Sequence, residues 1–163
     1  MKRLLPSGLM FLTGVAGIAA TAAQIEPEVT KVSFKLDLRE RILRNFFKDK
    51  NCPAQNYAEV FVAEADAHHL DWRLLPSLAL VESGGGKNSK GNNLFGWANG
   101  GQTFKTIADA IHTVAVSLAQ GRAYRDKDTA GKLATYNKGA EYPNKVMRVM
   151  RQISPKPEIM AAD

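Results

Sequence analysis

Leu78 to Trp97 reads LALVESGGGKNSKGNNLFGW, and the rest of the chain is arranged around it. An apolar run ends in a lone acid, Glu82, and three glycines follow at once. Leu75, Leu78, Ala79 and Glu82 fall at i, i+3, i+4 and i+7, so they share one face of a helix. Leu74, Leu80 and Val81 make the other face apolar too, which predicts a buried helix. The glycines stop it and leave Glu82 in its last turn. Burial disfavours the charged carboxylate. The negative end of the helix dipole disfavours it as well. A carboxyl group kept protonated near neutral pH is a general acid. The plainer alternative is a half-exposed glutamate at a helix end, paired with a lysine.

Beyond Glu82, Ser83 to Lys105 contains no Asp or Glu, seven glycines, and Lys87, Lys90 and Lys105. Leu94, Phe95, Trp97 and Phe104 give this stretch apolar anchors. It is therefore expected to be a small irregular lobe, with a short hairpin at Asn99-Gly100-Gly101, rather than a loose loop.

These residues resemble a known family. Val81-Glu82-Ser83-Gly84-Gly85-Gly86-Lys87, followed by Asn92-Asn93-Leu94-Phe95-Gly96, is similar to the active-site segment of the glucosaminidase branch of the lysozyme superfamily, which are bacterial cell-wall hydrolases. The Glu-Ser step and Tyr136-Asn137-Lys138-Gly139 also resemble soluble lytic transglycosylases. The similarity runs from about Tyr57 to Ile153. It implies a mainly α, lysozyme-like helical domain with a small irregular or β lobe flanking a cleft. It implies that Glu82 is the catalytic acid, that Tyr136 hydrogen-bonds near the reacting ring, and that the substrate is the β-1,4 glycan strand of peptidoglycan. Ser83, Asn93, Phe95, Trp97 and Tyr142 are then expected to bind that glycan. Phe95 is equally explained as a lobe anchor, Trp97 as packing beneath the lobe, and Tyr136 as a core tyrosine with a wet hydroxyl. One departure stands out: an aromatic often follows the Ser-Gly, and Gly85 occupies that place. A wall of the groove is therefore expected to be missing or rebuilt.

Glycoside hydrolysis usually uses two flanking carboxyl groups. A partner on the small lobe would have to come from Ser83 to Lys105, which holds none. Glu141, between Tyr136 and Tyr142, is the first-ranked partner. Asp109 is better explained as a helix cap, and Asp126 and Asp128 as turn residues. A single-carboxyl mechanism is preferred, with Glu82 acting first as acid and then as base. The competing expectation is a non-catalytic cell-wall glycan-binding module that keeps the fold.

The N-terminus carries Lys2 and Arg3, an apolar run from Leu9 to Ala20, and the small residues Ala20-Thr21-Ala22-Ala23. That is the layout of a secretory signal peptide, residues 1–23. The run is short of the roughly 20 apolar residues a membrane span needs. Residues 24–34 read as a flexible leader, 35–154 as the lysozyme-like glucosaminidase domain, and 155–163 as a tail with Pro155 and Pro157. The expected location is secreted or periplasmic, with no stable membrane insertion after cleavage. Removing residues 1–23 takes two bases and no acid from a chain of formal charge +6, leaving +4. A basic protein outside the cell is drawn to anionic wall polymers. Nucleic acid is not expected as a partner, since the loop lysines lack interleaved exposed aromatics beyond Phe95 and Trp97 and the signal peptide argues against it. The protein is expected to act as a monomer.

Cys52 is the only cysteine, so no internal disulfide forms, and it is expected as a small buried apolar residue. His68 and His69 are adjacent and point about 100° apart on a helix, so they cannot chelate one ion in the i, i+4 manner. His112 is distant in sequence. No metal and no cofactor are expected.

Six helical stretches are predicted. Leu38, Ile42, Leu43, Phe46 and Phe47 mark the first, ended by Lys48 to Pro53. The second spans about Asn56 to His69. Asp71 is placed as N-cap of the third, Trp72 to Glu82. Thr106 and Asp109 form a capping box for the fourth, which Gly121 ends. Thr129 to Asn137 is the fifth, and Pro143 opens the last.

Overall fold

A computed structural model of the chain describes residues 37–154. The expected signal peptide, the leader and the tail lie outside the described residues. Among the described residues the fold is mainly α: six α-helices, one 3-10 turn and no β-strand. None of these helices is long and apolar enough to cross a membrane.

Helix α1, Leu38–Asp49, starts where the Asp37 carboxylate accepts from the Arg39 amide at 2.8 Å. Leu43 and Phe47 face inward from it. The expected second helix opens instead as a 3-10 turn, Pro53–Tyr57, and becomes α2 over Ala58–Ala67. Pro53 fixes the backbone at the first position of that turn, where its missing N–H costs nothing. Arg39 bridges Asp37 and Asp66 and so ties α1 to α2.

Helix α3, Leu74–Ser83, is the central rod. It packs against α2, against α4 (Ile107–Gln120) and against α6 (Tyr142–Ile153). Leu74, Leu75, Leu78 and Ala79 are fully buried along it. Each buried leucine contributes on the order of 1.5–3 kcal/mol. The helix begins two residues later than the sequence suggested. Asp71 turns its carboxylate onto the Arg73 amide (2.9 Å) and onto the Arg73 guanidinium, so the chain at Asp71–Arg73 forms a turn before the helix. Pro76 then sits in the first helical turn, where no amide hydrogen is needed. Gly84 closes the helix at φ +63°, a left-handed cap that glycine adopts without strain.

The capping box on α4 is present: Asp109 N donates to Thr106 Oγ1 and Thr106 N donates to Asp109 Oδ2, both at 3.0 Å. Thr106→Ala is expected to cost about 1 kcal/mol, read as a lower urea midpoint with an unchanged m-value. Helix α5, Thr129–Tyr136, is capped by Asp128, whose Oδ1 accepts from Gly131 N at 2.7 Å. The sequence suggested only a turn residue at Asp128. Val146, Met150 and Ile153 form the inner stripe of α6.

Between α3 and α4 the chain forms the expected irregular lobe without the expected hairpin. Gly100 N donates to Gly96 O and Gly101 N to Ala98 O, which makes consecutive turns rather than a strand pair. The β character of this lobe is one isolated antiparallel bridge, Lys90 to Asn93.

Candidate active site

Glu82 occupies the penultimate position of α3 and is half-buried. Its carboxyl group has two different sides. Tyr142, at the start of α6, donates its hydroxyl to Oε1 at 2.5 Å. Oε2 faces the backbone at Gly96: a Cβ added there would lie 3.3 Å from it. Gly96 has φ +59°, so the lobe passes close to the carboxyl group at a position where any side chain would be both strained and crowded.

Glu82 lines a cavity of about 140 Å³ with Ser83, Asn88, Lys90, Asn93, Gly96 and Gly100. A larger cavity of about 330 Å³ shares Gly96 and is walled by Trp97, Ala98, Asn99, Tyr124 and Tyr136. Among the described residues, Glu82 is the one carboxylate lining either cavity. The aromatic wall is a connected set. Trp97 lies 5.7 Å from Tyr136 and 6.5 Å from Tyr124, ring centre to ring centre. Tyr136 stacks on Tyr142 at 6.0 Å with planes 7° apart. A line of rings therefore runs from the Tyr142 hydroxyl on Glu82 to the open cavity. Burial pushes the Tyr142 phenol far above its ordinary value, and its hydrogen bond to Glu82 adds to this. Burial and the nearby Glu82 charge do the same to Tyr136. Both phenols remain proton-bearing donors through the neutral range.

The expected site residues fall into three groups. Glu82, Trp97 and Tyr136 line the paired cavities. Ser83, Asn93 and Tyr142 touch the site, but their polar groups are already committed. Ser83 Oγ donates to Ala79 O and accepts from Gly86 N, closing the turn after α3. Asn93 Nδ2 donates to the carbonyls of Trp97 and Gln102, and its Oδ1 accepts from Trp97 N. It is the hub that shapes the lobe. Tyr142 is 9% exposed and serves Glu82. Phe95 and Glu141 form the third group. Phe95 corrects the sequence expectation: its ring is 0% exposed, so it anchors the lobe and cannot meet a glycan, while its carbonyl accepts from the Tyr136 hydroxyl at 2.6 Å. Glu141 is exposed and lines neither cavity, and its carboxylate accepts a long 3.5 Å bond from Asn144.

Tyr124 was missed. It follows α4 on a turn held by Tyr124 N to Gly121 O at 2.8 Å and by Lys132 Nζ to Tyr124 O at 2.7 Å. Gly121 marked the turn in the sequence, but nothing local marked the tyrosine as facing a cavity.

Gly85 answers the question of the missing aromatic. It is buried at φ +67°, and a Cβ there would lie 2.8 Å from Cys52 Cβ and 3.3 Å from Phe47 Cε1. Position 85 points into the core between Cys52 and Phe47, so a side chain there would not have formed a groove wall. Cys52 is buried, as expected.

Outside this site, the fold brings together histidines that are far apart in sequence. Folding α4 onto α2 brings His112 beside His68, with Glu64 between them. Compared with models of known protein families and with curated protein sequences, the chain finds no match.

Proposed function

We propose that this protein cleaves the β-1,4 glycan strands of peptidoglycan through a lysozyme-like helical domain, with Glu82 as its single general acid and base. The observation that carries this reading is the placement of Glu82: an acid at the end of a buried helix, one oxygen held by Tyr142, the other side facing a cavity to which no other described residue brings a carboxylate. Glu82 gives its proton to the glycosidic oxygen as the bond to the anomeric carbon breaks. The N-acetyl oxygen of the substrate stabilises the positive centre left behind, the role a second carboxylate plays in most glycosidases. Glu82, now a carboxylate, takes a proton from the attacking group. That group is water in a glucosaminidase or the sugar's own hydroxyl in a lytic transglycosylase. Trp97, Tyr124 and Tyr136 offer ring faces and edges for the sugar units on one side of the reacting bond. Lys90, on the wall of the Glu82 cavity, suits the anionic character of the cell wall. Secretion through the residue 1–23 signal, and action at the cell envelope as a monomer, belong to the same proposal.

The absence of a second carboxylate among the described residues of both cavities also fits the alternative, a wall-binding module without turnover. Digestion of purified peptidoglycan followed by mass spectrometry separates them. The enzyme releases fragments with new reducing ends or with anhydro ends one water lighter. A binding module sediments with the wall and releases nothing.

Tyr142→Phe tests the positioning of the acid. The ring stack on Tyr136 survives and the donor to Glu82 is lost. A hydrogen bond to an ionised group is worth roughly 1.5–3 kcal/mol, so kcat is expected to fall about 10–100-fold with KM little changed.

A further inference from the structure

We propose that Glu64, His68 and His112 form a binding site for a divalent transition-metal ion, with Zn²⁺ as the best-matched ion, bridging α2 and α4. Glu64 and His68 are one helical turn apart, so they project from the same face of α2. His112 comes from α4, which packs on α2. Glu64 Oε2 lies 3.4 Å from His68 Nε2 and 3.0 Å from His112 Nδ1. One ligand atom from each residue fits within a set no wider than 4.8 Å.

A tetrahedral zinc site with bonds of about 2.0–2.1 Å separates neighbouring ligand atoms by about 3.3 Å. Two edges of the triangle are therefore close to the required length. The third edge is at most 4.8 Å and closes by rotation of the His112 side chain, which is 59% exposed. Two imidazoles and one carboxylate, with a fourth position left for water, are a donor set suited to zinc and poorly suited to magnesium or calcium. His68 is also the C-cap of α2, where the helix dipole favours a cation. The competing acid nearby, Asp66, is taken by Arg39. The three residues line neither cavity at Glu82. The ion would therefore act as a clip between two helices and would take no part in glycan chemistry.

The test uses the full chain, free of affinity tag, stripped with chelator and titrated with zinc chloride by calorimetry. The wild type is expected to bind one Zn²⁺ per chain with a dissociation constant of about 10 μM or tighter. The thermal midpoint should rise by about 5–15 °C at a hundredfold excess over that constant. Magnesium chloride should do neither. His68→Ala, His112→Ala and Glu64→Gln are each expected to weaken zinc binding at least about tenfold. His112→Ala removes an exposed side chain and keeps the fold, so it decides the matter if another variant unfolds. Wild type that takes up no zinc at about 100 μM, or zinc binding unchanged in His112→Ala, overturns the proposal. Because the readout is metal uptake and melting, the result is independent of whether the protein cleaves glycans.

Discussion

Glu82→Gln is expected to lower the rate of peptidoglycan cleavage about 10²–10⁴-fold while the protein folds and still sediments with cell walls. The replacement amide keeps the size of the side chain and can still accept from the Tyr142 hydroxyl, but it has no proton to give the glycosidic oxygen. Among the described residues no other carboxylate lines the two cavities, so none of them is placed to take over. The loss should fall on kcat rather than on KM, because proton transfer belongs to the transition state. Circular dichroism and the thermal midpoint should match the wild type, since the half-buried carboxylate makes a side-chain hydrogen bond with Tyr142 that the amide can keep. Glu141→Gln is the matched control. Glu141 is exposed and outside both cavities, so its replacement should leave turnover within about twofold. A large loss there would make Glu141 the missing second acid and end the single-carboxyl mechanism.

The second large effect is on stability. Gly85→Ala is expected to cost about 2–5 kcal/mol, read as a lower urea midpoint. The left-handed backbone at φ +67° contributes about 1–2 kcal/mol of that. Overpacking contributes about 1–3 kcal/mol, because the new methyl would sit 2.8 Å from Cys52 Cβ and 3.0 Å from its sulfur. Against a typical total of about 5–15 kcal/mol this is a large share. A bulkier residue such as phenylalanine should fail to fold. Pairing Gly85→Ala with Cys52→Gly removes the colliding atoms and should return the packing part but not the backbone part. The double-mutant cycle should then show favourable coupling. Additive losses would mean that position 85 does not press on Cys52.

The central helix and its acid could be read from the sequence because both signals are local. An apolar run without a polar face ends at three glycines, and that pattern has one simple structural outcome. The Thr106–Asp109 capping box was legible for the same reason: both partners lie within four residues. What escaped the sequence depends on contacts between distant segments. Phe95 looked equally suited to a sugar or to the core, and the choice was made by how the lobe folds over α3. Asn93 looked like a ligand for glycan, yet its amide is consumed by Trp97 and Gln102 within its own lobe. Tyr124 joined the aromatic wall only once Lys132, on the next helix, pinned its carbonyl. His112 reached His68 only through the packing of α4 on α2. The inward direction of position 85, toward Cys52 and Phe47, was not legible because sequence spacing does not say which way a residue after a helix cap will point. The 3-10 turn at Pro53–Tyr57 replaced the start of an expected α-helix because Pro53 sets the local backbone before any apolar periodicity can act.

The most direct measurement is the chemistry of what the wild-type protein releases from purified, metal-free peptidoglycan, compared with what Glu82→Gln releases under the same conditions. Soluble muropeptides with one new kind of saccharide end, present for the wild type and reduced at least about a hundredfold for the variant, are the expected result. Equal release by both proteins would remove Glu82 as the proton donor, and firm binding to the wall with no fragments from either would remove the glycan-cleaving function.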